Sequence, residues 1–418
     1  PGLSVPEGMD RNHLAPLTFR LGYADENVVN YDHPLVLLFR NVDHKPEWEI
    51  DWILSQPIES QVSRDNGPLM LSQPDAIAQE AAGDWSSLFG VGWANRFPVL
   101  AWLLVVIVVT ILAFPITLAI FRRLPDRGIL FATPLGILLV GYPTWLSAHL
   151  GWVNFSRESA FLSFILVAIA SGIILAFQGR DMLSFIRSRW RYVVSVEALF
   201  LIAFFSFLLI RMANPDLWHP WRGGEKPMDY AHLNAIIRSP YFPPYDPWYA
   251  GGHLNYYYFG HVPTASLSKI LGVPPSTAYN LALASYVAGA IAAVFAVCHG
   301  VWSVLSRPGR RAAFVGLAGV LLVAVVGNLQ SIVQLVEISA DHAADPASGW
   351  STLAQVPATI GGHLGADYDF WSPTRVIPGT VNEFPWFTFI YGDLHPHLMN
   401  LGFTAVALLG ALTLVALG

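Results

Sequence analysis

Between Arg96 and Arg122 the chain carries no charged residue, only an apolar run over residues 97–121. A helix of that length crosses the hydrocarbon core of a bilayer, which takes about 20 predominantly apolar residues. Further stretches share this character and together predict an all-α polytopic membrane protein. The seven predicted spans cover 97–121, 129–149, 158–177, 192–212, 275–304, 312–336 and 397–418. Pro134, Pro143 and the polar segment from Asn154 to Ser159 interrupt the second and third. With 54% hydrophobic and 12% charged residues, the chain has about half the charge of an ordinary soluble domain. Its surplus apolar surface needs membrane lipid as a partner.

The arginines report orientation. Arg122, Arg123 and Arg127 follow the first span, Arg180, Arg187, Arg189 and Arg191 the third, and Arg307, Arg310 and Arg311 the fifth. Short loops rich in Arg and Lys stay cytoplasmic. Alternation then predicts that residues 1–96, 150–157, 213–274 and 337–396 are extracytoplasmic, as loops of a multi-pass protein of the cell membrane. A net charge of -6 without a basic domain argues against a nucleic-acid partner. The single cysteine, Cys298, lies inside a predicted span and reads as a packing residue. A chain that begins at Pro1 and ends in an apolar run is expected to be a piece of a longer polytopic protein.

Two domains are expected. Residues 1–92 read as the end of an extracytoplasmic soluble domain plus a linker: Asn30 to Asn41 places a turn before a short apolar run, the pattern of a strand in a small α/β or β piece. Residues 93–418 form the transmembrane domain, with outside loops 213–274 and 337–396. The first loop contains Trp218, Trp221, Trp248 and Tyr256 to Tyr258, whereas disordered segments lack aromatics. Juxtamembrane helices are predicted over Asp229 to Arg238 and Tyr256 to Leu271.

These loops hold the residues capable of chemistry. Asp393, His395 and His397 alternate around Pro396, which disfavours a regular helix through them. Carboxylate with imidazole suits Zn, Mn or Fe, so the three form a candidate metal set or an acid/base and phosphate-contacting set, with Asp393 a candidate catalytic acid; the competing reading is an acidic helix start with interfacial histidines. Asp229 follows Gly223-Gly224-Glu225-Lys226. Partial burial would raise the pKa of its carboxyl and a nearby cation would lower it, suiting it to act as a base toward a hydroxyl, with Glu225 close by. Asp246 is a second acid, and equally a turn former before Pro247.

Lys226, Arg238 and Arg375 are the outside cations suited to an anionic headgroup, or to snorkelling toward lipid phosphate. Tyr256, Tyr257 and Tyr258 can stack on a sugar, line a lipid groove or simply anchor the interface. His253, His261 and Glu383 complete the candidate substrate-binding set. Asp367 and Asp369 form a D-x-D pair able to hold a Mg- or Mn-type divalent ion, or a solvated loop. Glu197 lies near the cytoplasmic end of a span, a costly position that is a functional hypothesis by default, and equally a boundary ion pair with Arg191.

Several of these motifs occur together in a known order. Gly-Gly-Glu-Lys-Pro-Met-Asp, Asp-Pro-Trp-Tyr-Ala-Gly-Gly, Asn-Tyr-Tyr-Tyr-Phe-Gly-His and Glu-Phe-Pro-Trp-Phe-Thr-Phe with Gly-Asp-Leu-His-Pro-His resemble the YYY-motif family of uncharacterised multi-pass membrane proteins, from about Val193 onward. That family is similar to the GT-C glycosyltransferases, which move a sugar from a polyprenyl-phosphate carrier on the extracytoplasmic side. The resemblance implies a GT-C-like fold, a polyprenyl-phosphate-linked sugar donor and an acceptor hydroxyl. It also implies an essential acid in the first large outside loop, at Asp229. Gly-Glu-Lys-Pro-Met-Asp departs from the paired acidic motif of characterised GT-C enzymes, so base catalysis and a divalent ion both stay open. A transporter or flippase would instead put polar groups at mid-bilayer on broken helices, and a non-catalytic scaffold would not depend on Asp229 or His395.

Overall fold

The computed structural model describes residues 92–415 apart from 214, 218–223, 250, 307–308, 328, 360–366 and 370, together with 45–46, 48–49, 77 and 89. The strand expected near residues 30–41 lies outside the described residues. Among the described residues there is no strand, only a bridge between Tyr245 and His253. The helices are α1 (Pro98–Ile120), α2 (Ala132–His149), α3 (Arg157–Ala213), α4 (Lys226–Arg238), α5 (His261–Leu271), α6 (Pro275–Leu305), α7 (Arg310–Leu321), α8 (Gln330–Asp341), α9 (Gly349–Ala358), α10 (Pro385–Tyr391) and α11 (Pro396–Val415). Five helical stretches are long and apolar enough to cross a membrane, or up to six if the bent α7–α8 pair is one span.

Helix α6 is the central post. Ala278, Ala282, Ala284, Ala288, Ala292 and Ala296 are buried along it, and small side chains let neighbouring helices approach closely. Hydroxyl contacts tie the outer helices together: Trp102 Nε1 donates to Ser285 Oγ at 2.9 Å, Thr110 and Thr133 meet at 2.8 Å, and Thr144 meets Ser163 at 2.5 Å. Large apolar side chains such as Phe177, Ile202, Leu209 and Phe314 point outward. Outward apolar side chains on long helices fit a lipid-facing surface.

Helix α3 departs from the sequence expectation, which placed an arginine-rich loop between spans 158–177 and 192–212. The backbone stays helical throughout, since Arg, Met, Leu and Ser in 180–191 are acceptable helix formers. It is not straight. A straight helix would hold Leu175 and Leu201 about 39 Å apart, yet both line one cavity. Arg157 donates to the Ile270 carbonyl at 2.8 Å, and Arg211 to Asn280 near the start of α6. The middle of α3 instead meets the turn after α1, through Arg127 with Asp181 at 2.7 Å and Tyr192 with Asp126 at 3.1 Å. The helix therefore doubles back along the bundle.

These contacts give the bundle two unlike ends. The arginine-rich segments 122–127 and 180–191 gather at one, and α4, α5 and the start of α11 at the other. The predicted span 312–336 also differs from expectation. It divides into α7, a short π-helical turn (Leu322–Val326) and α8, with a bend of 57°. Gly327 and Leu329 at the break both have positive φ, 57° and 69°, which a right-handed helix cannot continue through.

Candidate functional site

Helix α4 starts beneath a close approach. Gly224 has φ 60°, and a Cβ there would sit 1.6 Å from the Tyr391 hydroxyl, so only glycine fits. Lys226 and Pro227 open the helix, Pro227 supplying a preset φ at a position whose N–H needs no partner. Apolar and polar residues then share the inward face at helical spacing: Lys226, Asp229, His232, Leu233 and Ile236 are all buried. His261 begins α5 and is also fully buried. From the other loop, α10 ends at Gly392 in the left-handed region, and Asp393 to His395 lead into α11.

Two strata result. At the rim, His395 Nε2 lies 2.8 Å from Glu225 Oε2 and 2.9 Å from the Tyr256 hydroxyl. The His395 and His397 rings stack with centroids 4.5 Å apart and their Nδ1 atoms in contact. His397 Nδ1 is in turn 3.7 Å from Glu383 Oε2. Beneath lie Asp229, His232 and His261, with His261 Nε2 3.9 Å from Asp229 Oδ1. Neither Asp229 oxygen has a hydrogen-bond partner, nor do His232 Nδ1 and both His261 nitrogens, and all are buried. The first-turn position of Asp229 would also fit a charge at a helix start, but a cap would bond a backbone N–H and this carboxylate bonds none.

Lys226 and Asp393 are buried beside this pair of strata. The Lys226 ammonium sits 4.5 Å above the Tyr391 ring. Arg211, buried at the end of α3, is held by Asn280 Oδ1 at 3.0 and 2.7 Å. The Tyr279 hydroxyl accepts the Leu394 N–H at 2.7 Å, fixing the turn that carries Asp393.

The electrostatics follow from burial. Desolvation, with the charges of Asp393 and Glu225, pushes the Asp229 carboxyl well above the ordinary carboxylate range. Desolvation raises Asp393 to about 6, against the pull of Lys226 and His395. It lowers Lys226 to about 8, with Asp393 opposing. His232 and His261 fall to about 4 and about 3, mainly by desolvation. Burial also opposes charge on His395, but the Glu225 hydrogen bond and the Asp393 charge prevail and raise it. Glu225 is lowered, first by its hydrogen bond from His395. The cluster thus combines an acid that titrates near neutrality, a lysine with a weakened proton and a charged rim pair.

Among the described residues, donor atoms gather into two sets within 4.8 Å: Asp229, His232 and His261, and Glu383, His395 and His397. Asp393 belongs to neither, so the ligand set expected at Asp393, His395 and His397 is divided, with Glu383 beside the two histidines. A groove of about 440 Å³ opens next to the rim, lined by Tyr257, Phe259, Gly260, His395, Met399 and Phe403. A larger apolar cavity of about 550 Å³ lies between α1 and α3. Glu197 lines that cavity and none of the clustered residues does.

Matching against known families decides the relationship. A family model described as uncharacterized membrane protein (DUF2298) covers residues 139–417. The chain belongs to that family. The DUF2298 match takes in both strata, the groove and Lys226, while α1 lies before it. No curated protein and no solved structure matches.

Other sequence-predicted residues are placed elsewhere. Arg238 is at the far end of α4 and bonds the Tyr245 hydroxyl. Arg375 bonds Thr374 Oγ1 at 2.5 Å and lies over Trp371. Asp246 Oδ1 accepts the Trp248 and Tyr249 N–H groups at 2.8 and 3.0 Å, the turn-forming role. His253 is in the bridge with Tyr245. Tyr257 is exposed, and Tyr258 accepts from Trp145 Nε1 at 3.2 Å. The Asp367 carboxylate lies 3.7 Å from His342 Nε2 and the Asp369 carboxylate accepts the Trp371 N–H at 2.9 Å, contacts within the loop structure. Sequence reasoning missed His232, Arg211 and Tyr279. Only His232 left a usable signal, its i,i+3 spacing from Asp229 on a helix face.

Proposed function

We propose that this DUF2298 protein is an integral-membrane glycosyltransferase of GT-C type, moving a sugar from a polyprenyl-phosphate carrier to an acceptor hydroxyl on the extracytoplasmic side. In this reading α3 supplies two crossings and the α7–α8 pair one, giving seven. The observation that carries the reading is the buried, unbonded carboxylate of Asp229 lying beside Lys226 and Asp393 and below a charged rim. A protein interior bears such unpaired polar groups at a cost of about 1–3 kcal/mol each. They accumulate where a ligand or a reaction uses them.

The carrier's apolar chain occupies the groove lined by Phe259, Met399 and Phe403, with its phosphate toward His395 and Lys226. Asp393 takes the proton of the acceptor hydroxyl. The acceptor oxygen then bonds to the anomeric carbon as the carbon–oxygen bond to phosphate breaks, and that electron pair leaves on the lipid phosphate. Negative charge grows on the phosphate in the transition state. Preorganised cations lower the barrier most at such a point. Glu225 keeps His395 protonated for that role, and Asp229 fixes the floor of the site.

The test is a screen of purified full-length protein against radiolabelled polyprenyl-phosphate sugars, run alongside flux measurements in proteoliposomes. Transfer of label to an acceptor supports the proposal. No transfer with any donor, together with substrate-dependent flux, overturns it in favour of transport.

A further inference from the structure

We propose that Asp229, His232 and His261 form a binding site for a borderline divalent metal ion, with zinc the best fit. The inference goes beyond the transfer reading by assigning a cofactor to the floor of the same site. Asp229 and His232 stand at i and i+3 on the buried face of α4, and His261 faces them from the first turn of α5. Their donor atoms lie within 4.8 Å of one another. Ligand bonds of about 2.0–2.2 Å leave neighbouring tetrahedral donors roughly 3.5 Å apart, so a modest closure of side chains completes the shell.

Three features separate this set from a packed polar core. Both carboxylate oxygens, both nitrogens of His261 and Nδ1 of His232 are buried without a hydrogen bond. A core acid and two core imidazoles selected for packing would satisfy one another, yet His261 Nε2 stays 3.9 Å from Asp229 Oδ1, too long for a hydrogen bond. The rings are also held in place: His232 packs edge-on to Trp248 at 5.3 Å and against Tyr256 at 5.1 Å. An oriented ligand ring that cannot swing away is what a metal site requires.

The donor set disfavours hard ions and leaves zinc, with iron(II) its competitor. Two imidazoles and one carboxylate suit zinc, while magnesium and calcium prefer oxygen ligands and several waters. Three protein ligands leave a fourth position open, the arrangement of a zinc site that acts on a bound water or substrate oxygen. The other donor set is already engaged through His395, which is hydrogen-bonded to Glu225 and in contact with His397, and is not the proposed site.

The experiment uses the full-length protein purified in detergent. Metal analysis should find about one zinc per chain. After chelator stripping, cobalt(II) added in its place should give visible d–d absorption of tetrahedral intensity, and zinc should raise the thermal midpoint. D229N, H232A and H261A should each lose the cobalt spectrum and the zinc-dependent shift, while H397A retains both. The near-isosteric D229N covers the case in which a histidine variant fails to fold. Wild-type protein with no bound zinc, no cobalt spectrum and no zinc-induced shift would overturn the site, as would a spectrum kept by D229N and H232A but lost in H397A. Chelator-resistant sugar transfer by metal-free protein would sink the metal site and leave the transferase reading standing. Metal bound as predicted without transfer from any donor would do the reverse.

Discussion

Glu225 and His395 illustrate how one rim contact sets two titrations. The hydrogen bond at 2.8 Å lowers the glutamate and, against burial, raises the histidine. A lowered carboxyl stabilises the fold above its ordinary pKa and loses that contribution as pH falls through the folded value. A raised histidine contributes fully below its ordinary pKa and loses it as pH rises through the folded value. The pair is therefore strongest between the ordinary values, about pH 4.5 to 6.5. Histidine NMR should show His395 titrating above the usual range, and E225Q should lower that midpoint. At Gly224 the expectation is steric: a Cβ against Tyr391 and a strained φ should destabilise G224A by about 1–3 kcal/mol, seen as a lower melting midpoint in detergent.

At the scale of elements, the predicted juxtamembrane helices compare closely with α4 and α5, because Pro227 and the buried 3–4 spacing mark a start and a face. The interior of α3 was not legible. Arginines at 180–191 signal a loop by charge, yet a helix accommodates them, and no residue there forces a break. The bend between α7 and α8 was hidden for the opposite reason: its positive-φ turn is embedded in an apolar run. Of the site, Asp229, Glu225, Lys226, Asp393 and His395 were visible as polar residues in aromatic loops. Arg211, at the end of the predicted span 192–212, carries no signal of a site, and His232 carries only its i,i+3 spacing from Asp229. The doubling of α3 has a direct check. Spin labels at exposed Leu166 and Leu209 should lie far closer than the roughly 64 Å of a straight helix, as measured by pulsed dipolar spectroscopy; a distance near that value would refute the reversal.

Across the whole molecule, charge and chemistry separate to opposite ends. Arginines mark one end, with Asp181 paired to Arg127 and Asp126 to Tyr192, and the buried acids, histidines and groove of the candidate site mark the other. If the positive end is cytoplasmic, a membrane-impermeant thiol reagent applied to intact cells should label Y257C and spare R187C in a C298A background. The opposite pattern would invert the proposed orientation and put the transfer site in the cytoplasm. Burial of Asp393 gives the proposed site its pH response. A base poised at about 6 must be deprotonated to act, so transfer should rise as pH increases through that value.

The buried acids beneath the rim are proposed to perform sugar transfer. The most direct measurement is transfer by purified full-length protein, comparing wild type with D393N and D229N at equal folded amounts. The prediction is robust transfer by wild type and a loss of about 100-fold or more in both variants. Transfer by either variant at the wild-type rate would contradict it.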